Sequence, residues 1–214
     1  MDLEERYLRR ATDETERSRD LVTLLFTDLV GSTERVARLG DRRWRELLTL
    51  HHAKVRELLD RFGGREVDNS GDGFFAAFDT ASGAVRCGGE VTRALAEHDL
   101  DTRVGVHTGE CERLGSKYGG VAVHVAARVV RLAGAREVLV TETVRAVVAG
   151  SELRFCERGS HTLKGLTGIW PLYAAVTAAS VAAKARERRR SVHRTSQATH
   201  LAVRAPVAGP SRGR

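Results

Sequence analysis

The sequence lacks long apolar runs and has few cysteines. No stretch of the 214 residues approaches the roughly 18 to 20 apolar residues that a membrane-spanning helix needs, and the charged N-terminal residues do not resemble a secretory signal peptide. The three cysteines, Cys87, Cys111 and Cys156, have no metal-ligand spacing and are expected to be free thiols in a reducing compartment. These absences predict a cytoplasmic protein with no membrane span.

The chain also has little net charge outside its C-terminal end. The formal net charge of +7 would by itself suggest a nucleic-acid partner. From Thr177 onward, however, nine residues are Lys or Arg and one is Glu, so the rest of the chain holds 26 basic and 27 acidic residues. We therefore do not expect the folded part to bind nucleic acid. Contact of the Arg-rich stretch 186–190 with nucleic acid or an anionic membrane is the alternative to a solvated tail.

The order of apolar patterns predicts one α+β domain with helices on the faces of an antiparallel, ferredoxin-like sheet. Strands are expected near 21–27, 65–68, 74–78, 102–108, 110–113, 137–140, 153–157 and 169–176, and helices near 33–39, 41–62, 80–98, 121–133 and 141–148. We expect three segments: a charged N-terminal arm (1–20), the folded domain (21–176) and a basic, Ala/Arg-rich, largely disordered tail (177–214).

Two aspartates end predicted strands at glycine-containing turns. Asp28 follows the apolar run 21–27, and Asp72 stands in the turn Gly71-Asp72-Gly73. Two carboxylates on neighbouring strand ends, with a helix N-terminus close by, can bind divalent metal ions and the phosphates that those ions carry. The pattern therefore favours a nucleotide enzyme, and aspartates that only cap turns are the structural alternative.

Five motifs resemble a known family in their order and spacing. They are Phe26-Thr27-Asp28, Gly71-Asp72-Gly73, Arg103–Glu110, Gly120–Val129 and Leu163-Lys164-Gly165. Together they resemble the class III adenylate/guanylate cyclase catalytic domain, close to soluble, single-domain actinobacterial forms, over roughly residues 21–176. The resemblance implies the ferredoxin-like cyclase fold and conversion of ATP or GTP into a 3′,5′-cyclic nucleotide and pyrophosphate in intracellular signalling. Cyclic AMP is the product that the family favours, and cyclic GMP is the alternative.

The same resemblance implies a metal site. Asp28 and Asp72 match the family's two metal-binding aspartates, and Leu29 would add its backbone carbonyl. Two Mg²⁺ or Mn²⁺ ions held there would assist attack of the ribose 3′-hydroxyl on the α-phosphate. Phosphate oxygens are expected to meet the backbone amides at the start of the first helix, which belong to Gly31, Ser32 and Thr33.

Three further residues match catalytic or phosphate-binding positions of the family. Arg128 matches an arginine that stabilises charge on the phosphate in the transition state. His124, four residues earlier on the same predicted helix face, stands where the family often has an asparagine that orients the ribose. Lys164 falls where the family has a phosphate-binding lysine. A surface arginine and a solvated loop lysine are the structural alternatives.

Three other polar residues of the motifs have a structural interpretation. We expect Arg103 and Glu110 to support the strand. His107 lies on an apolar strand and is expected to be a buried histidine with its hydrogen bonds satisfied.

Two residues depart from the family pattern. Most adenylate cyclases of the family read adenine with a lysine before Gly-Asp-Gly and an aspartate before the arginine-bearing helix, whereas this sequence has Asp68 and Lys117 there. The exchanged pair could bind O6 and the amino group of guanine. It could also accept from N6 of adenine while the lysine donates to a ring nitrogen, or the two side chains could pair and leave the base unread. The residues alone leave all three open.

The resemblance also implies a partner. Sites in this family form between two domains, one supplying the aspartates and the other the base-reading residues and the arginine, so one such domain per chain implies a homodimer with sites at the subunit interface. A catalytically weak or inactive module that binds nucleotide or dimerises as a regulatory unit is the alternative, motivated by the exchanged pair.

Overall fold

A computed structural model describes residues 19–182. Residues 1–18 of the expected arm and 183–214 of the expected tail lie outside this range, so both segments stay predictions. Between residues 19 and 182, no helix is both long enough and apolar enough to cross a membrane.

The described chain contains both strands and helices. The strands are β1 (Arg19–Leu29), β2 (Gly64–Asn69), β3 (Phe74–Phe78), β4 (Thr102–Leu114), β5 (Lys117–Gly119), β6 (Val138–Thr141), β7 (Phe155–His161) and β8 (Trp170–Ala175). The helices are α1 (Ser32–Leu39), α2 (Asp41–Phe62), α3 (Ala81–Ala96), α4 (Val121–Leu132) and α5 (Glu142–Val147).

These strands form one sheet in the order β2-β3-β1-β4-β6-β8-β7, with β5 paired to β4. The neighbouring strands run antiparallel, except that β4 and β6 are parallel. The α+β, ferredoxin-like fold is therefore confirmed, with one parallel pair added. Two parallel strands need a long crossover connection, and here that connection contains α4.

The two faces of β1 pack against different helices because successive side chains of a strand point to opposite faces. Val22 and Leu24 are buried with Ala122 and Ala126 of α4. The alternate face of β1 contributes to the larger core beneath α2 and α3. Helix α4 lies directly on β4, since a Cβ on Gly105 would stand 2.3 Å from the backbone nitrogen of Val130.

One strand prediction is wrong. We expected a strand over 102–108 and a return strand over 110–113, but β4 runs unbroken from Thr102 to Leu114, and the return strand is β5. The reason is that β1 begins at Arg19, and its pairing reaches Glu112 on β4. Because β1 pairs with β4 on both sides of Gly109, β4 continues through that residue without a turn.

Candidate functional site

Asp28 lies near the end of β1, where the sheet register fixes its neighbour. Asp28 is opposite Arg103 on β4, and Arg103 Nε donates to Asp28 Oδ2 at 2.8 Å. The Arg103 Nη2 group contacts the same carboxylate oxygen. Both side chains are about 30% exposed (30% for Arg103 and 29% for Asp28), so the carboxylate faces solvent while one of its oxygens is held.

The turn that carries Asp72 abuts the end of β1. The Phe74 backbone N–H donates to Thr27 Oγ1 at 3.1 Å. A Cβ on Gly73 would stand 2.9 Å from the carbonyl oxygen of Thr27, a separation that only glycine permits. The structure therefore brings the segments next to Asp28 and Asp72 into direct contact, as the sequence predicted for two neighbouring strand ends.

The donor set of this region fits Mg²⁺ or Mn²⁺ bound together with a nucleotide. Within residues 19–182 there is no group of three or more His, Cys, Asp or Glu side chains that could hold a metal ion. Magnesium usually keeps several waters and takes one or two protein carboxylates plus substrate phosphates. Asp28 and Asp72 are the two carboxylates that such a site would use, on segments that touch at Thr27 and Gly73, and the carbonyl of Leu29 follows Asp28 directly.

A cavity of about 500 Å³ opens beside Asp28. Its apolar wall includes Phe26 and Phe75, whose rings stack at 4.4 Å between centroids and 9° between planes. Tyr118 and Val123 add further apolar surface. The volume lies within the range of about 300–1,000 Å³ that small-molecule sites occupy, and flat aromatic walls suit a planar ligand.

Asp68 and Lys117 line the same cavity. Lys117 Nζ lies 3.5 Å from Asp68 Oδ2, and each side chain is 63% exposed. The other oxygen, Asp68 Oδ1, accepts from the Asn69 backbone N–H at 2.9 Å. Of the three arrangements that the residues left open, this structure contains the mutual pair. Because exposed ion pairs are weak, a ligand could replace it at little cost.

Arg128, His124 and Lys164 are not among the residues that line this cavity, and neither are Asp72, Leu29, Gly31, Ser32 and Thr33. Helix α4 faces it with Val123, Ala127, Val130 and Arg131, at the spacing of one helix face. His124 and Arg128 each follow such a residue by one position, which turns them about 100° around the helix. Arg128 Nε instead donates to the backbone carbonyl of Lys164 at 3.1 Å, so these two predicted residues contact each other.

The expected phosphate-binding amides lie just after the Asp28 strand. Gly31 precedes α1 in the left-handed conformation (φ 68°), and no side chain caps the helix there. The first backbone N–H groups of an uncapped helix are available to an anion. Ser32 and Thr33 begin α1, in the place that the sequence predicted.

Of the residues predicted to be structural, His107 has the environment that we expected and Arg103 has a different one. His107 is buried, as expected, and lies 2.9 Å from Thr141 Oγ1 through Nδ1; burial lowers its pKa to about 4. All three cysteines are free, and Cys156 is the exposed one. Arg103, in contrast, is more than a strand support because it holds a predicted metal ligand.

Sequence reasoning missed several residues that shape this region. They are Arg103 as a partner of Asp28, Phe26, Phe75 and Tyr118 as cavity walls, and His51 and His52 behind the Asp72 turn. Aromatic residues on two neighbouring strands can form a shared wall, but only the register, which pairs Phe26 with Phe75, shows which ones meet. The sequence has no comparable signal for the arginine or the two histidines.

Comparisons with known proteins agree on the family and the fold of this domain. The model of the adenylate and guanylate cyclase catalytic domain matches residues 14–174. An uncharacterised protein of Rhizobium meliloti is 32% identical over 169 residues, and the match covers 69% of this chain but 16% of that protein. The chain thus spans a small part of this curated relative.

Solved structures show the same fold. The adenylyl cyclase CyaB of P. aeruginosa superposes with a TM-score of 0.70 at 20% identity, covering 75% of this chain and 96% of that one. The guanylyl cyclase Cya2 superposes with a TM-score of 0.68 at 24% identity, covering 75% and 93%.

Proposed function

The chain belongs to the adenylate and guanylate cyclase catalytic domain family, and from that premise we propose that it converts a purine nucleoside triphosphate into its 3′,5′-cyclic monophosphate and pyrophosphate. The carrying observation is the cavity that joins Asp28 to Asp68, Lys117 and the stacked pair Phe26–Phe75. It combines a carboxylate for a metal-bound triphosphate with an apolar slot and two polar groups for a base.

The residues divide into a phosphate end and a base end. Asp28 and Asp72 would hold two divalent ions, with the Leu29 carbonyl as a further ligand. When bound, Mg²⁺ or Mn²⁺ supplies charge neutralisation and activation of the attacking hydroxyl. Arg103 fixes the orientation of Asp28 through its hydrogen bond to Oδ2, which leaves Oδ1 as the free oxygen of that carboxylate.

The residues at the base end would determine which purine base is bound. A purine inserted against the Phe26–Phe75 wall would meet Asp68 and Lys117 with its polar edge. The carboxylate accepts from an amino group, and the ammonium donates to O6 or to a ring nitrogen. Both adenine and guanine satisfy this scheme, so the proposed substrate class is ATP or GTP.

The transition-state arginine has to come from a second subunit in this proposal. Arg128 contacts the Lys164 carbonyl of its own chain and is absent from the residues that line the Asp28 cavity. A homodimer in which each chain presents Arg128, His124 and Lys164 to the other chain's Asp28 would complete two equivalent sites. The base-reading pair Asp68 and Lys117 would then belong to the same chain as Asp28, since all three line one cavity, and not to the chain of the arginine as the family resemblance implies. Lys164, a point charge, would then hold the leaving pyrophosphate.

The experiment has two parts. Purified protein is assayed with ATP and with GTP, each with Mg²⁺ and with Mn²⁺, and cyclic product and pyrophosphate are quantified. Asp28→Ala and Arg128→Ala subunits are then tested singly and mixed. We expect each variant alone to lose about a hundredfold or more in turnover and the mixture to regain activity at one of its two sites.

Each part can contradict the proposal. Absence of cyclic product from both nucleotides with both metals, at high enzyme concentration and with the dimer verified, would refute catalysis. A mixture that stays as inactive as the single variants would refute the shared site while leaving the activity in place.

A regulatory module without turnover is the second candidate. It is favoured by two contacts: Lys117 pairs with Asp68, and Arg103 occupies an oxygen of Asp28. Such a module would bind ATP or GTP in a dialysis experiment yet form no cyclic product. The same assay therefore separates the two candidates.

A further inference from the structure

Helix α2 contacts the turn that carries Asp72. His52 Nε2 lies 2.6 Å from the carbonyl oxygen of Gly71. A carbonyl oxygen only accepts hydrogen bonds, so Nε2 of His52 carries the proton and donates. The contact is partly buried, and it joins a long helix to the residue immediately before the second predicted metal ligand.

This hydrogen bond acts on a specific peptide plane. The carbonyl of Gly71 and the backbone nitrogen of Asp72 belong to one planar peptide unit. Gly71 has φ +87°, a region in which glycine has wide conformational freedom. Holding the carbonyl oxygen therefore fixes the plane from which the Asp72 side chain projects.

The other side of the turn is also held by α2. The His52 ring packs edge-on against Phe74 at 5.4 Å and 81°, and His51 does the same at 5.4 Å and 69°. The guanidinium of Arg56 lies 5.6 Å from the centre of the same ring. Phe74 comes two residues after Asp72, so helix α2 contacts the chain on both sides of the aspartate.

The turn's own hydrogen bonds do not replace this contact. The Gly71 N–H donates to Asn69 Oδ1 at 2.8 Å, and the Ser70 N–H donates to the Gly73 carbonyl at 3.0 Å. These bonds close the turn, but neither of them uses the Gly71 carbonyl. The orientation of the Gly71–Asp72 peptide therefore depends on His52.

We propose that His52 is a positioning residue: by donating to the Gly71 carbonyl it aims the Asp72 carboxylate at the metal-binding edge of the sheet. The metal part of this proposal rests on the proposed function, whereas the effect on the turn does not.

Three variants of His52 test the proposal. In His52→Gln the amide nitrogen sits as many bonds from Cβ as Nε2 does, so it can still reach the carbonyl. In His52→Asn the amide is one bond shorter and cannot, and His52→Leu has no donor. Asn and Gln are both polar amides, which makes them a matched pair, and their difference in helix propensity is a few tenths of a kcal/mol.

The first measurement is hydrogen–deuterium exchange of the metal-free protein. Loss of one hydrogen bond should speed exchange of residues 69–74 about fivefold in the Asn and Leu variants, while the Gln variant stays within about twofold of wild type. Peptides from α3 serve as the internal reference. Equal exchange of this segment in wild type and all three variants would overturn the proposal.

The second measurement is Mn²⁺ binding, read from the electron paramagnetic resonance signal of free Mn²⁺ with 3′-deoxy-ATP or 3′-deoxy-GTP present. We expect about fivefold weaker Mn²⁺ binding in the Asn and Leu variants and recovery in the Gln variant. The nucleotide KM at saturating Mn²⁺ should stay within about twofold. Faster turn exchange with unchanged Mn²⁺ affinity would refute the metal part alone. A wild type that binds no Mn²⁺ would refute it together with the proposed function.

Discussion

Strands β1 and β4 carry an aspartate–arginine pair at each end with similar hydrogen-bond lengths, although Asp28 lies directly opposite Arg103 and Asp20 reaches Arg113 diagonally from its place opposite Cys111. Arg113 Nε donates to Asp20 Oδ2 at 2.9 Å, and Arg103 Nε donates to Asp28 Oδ2 at 2.8 Å. The aspartate side chains are 32% and 29% exposed. Both pairs lie on the same face of the sheet, since residues an even number apart share a strand face.

The surroundings of the two pairs differ. Next to Asp28 lie the turn that carries Asp72 and the cavity that also contains Asp68. At the other end, the guanidinium of Arg113 lies 5.7 Å from the centre of the Tyr118 ring; Tyr118 also lines the cavity, but neither Arg113 nor Asp20 does. An aspartate–arginine pair on a strand is therefore no sign of a site by itself. The second carboxylate segment and the cavity make the Asp28 end the candidate active site.

The largest expected effect is a difference in kcat/KM between variants of the two aspartates. Asp28→Asn keeps the size of the side chain but removes the carboxylate proposed to bind metal, so we expect kcat/KM to fall by about a hundredfold or more, the scale of losing one charge-stabilising group. Asp20→Asn removes the same charge from the same strand and should leave kcat/KM within about twofold. Thermal unfolding of both variants checks that they fold alike. Equal losses of activity would contradict the assignment of the site.

The next effect concerns Asp68 and Lys117, the residues proposed to read the base in the cavity beside Asp28. The double variant Asp68→Lys/Lys117→Asp restores the charge order that most adenylate cyclases of the family have. If the pair reads the base, the ratio of kcat/KM for ATP to that for GTP should rise by about ten- to a hundredfold, which corresponds to one polar base contact of 1–3 kcal/mol. The single variants place like charges side by side and should weaken both substrates. An unchanged ratio in the double variant would show that the pair does not contact the base.

The smallest effect is on stability and comes from the middle of the same strand pair. His107 lies opposite Leu24, between the two ion pairs, and burial holds its folded-state pKa at about 4, below about 6.5 in the unfolded chain. The unfolded state therefore binds more protons between these values, so stability falls as pH decreases from about 6.5 to 4. Burial lowers the pKa of His51 to about 4 as well, with the same sign.

Urea unfolding at pH 7 and pH 5 measures this effect. Each buried imidazole should lower the free energy of unfolding by about 2 kcal/mol over that interval. His107→Asn removes one titrating group and should make the pH dependence correspondingly shallower, whatever its own effect at pH 7. A pH dependence identical to that of wild type would show that His107 is not held neutral by the fold.

Much of this site could be predicted from local patterns. A short apolar run followed by aspartate, and a Gly-Asp-Gly turn before an aromatic strand, both depend on nearby residues. Spacing also placed His124 and Arg128 on one face of α4, because residues four apart share a helix face, but the α4 residues that line the cavity are Val123, Ala127, Val130 and Arg131. The strand prediction at β4 was wrong because pairing with a strand distant in the sequence outweighed the local pattern. The prediction interrupted the strand at Gly109, but pairing with β1 as far as Arg19 keeps β4 continuous there.

The sequence by itself determined the α+β class, the two aspartates at strand ends and the exchanged charges at Asp68 and Lys117, because such features depend on residue types and short spacings. Only the tertiary structure decided which side chains meet them. Arg103 reaches Asp28 across 75 residues of chain, and His52 reaches Gly71 across 19. Contacts of this kind depend on strand register and on how a helix packs, and local sequence patterns do not encode either.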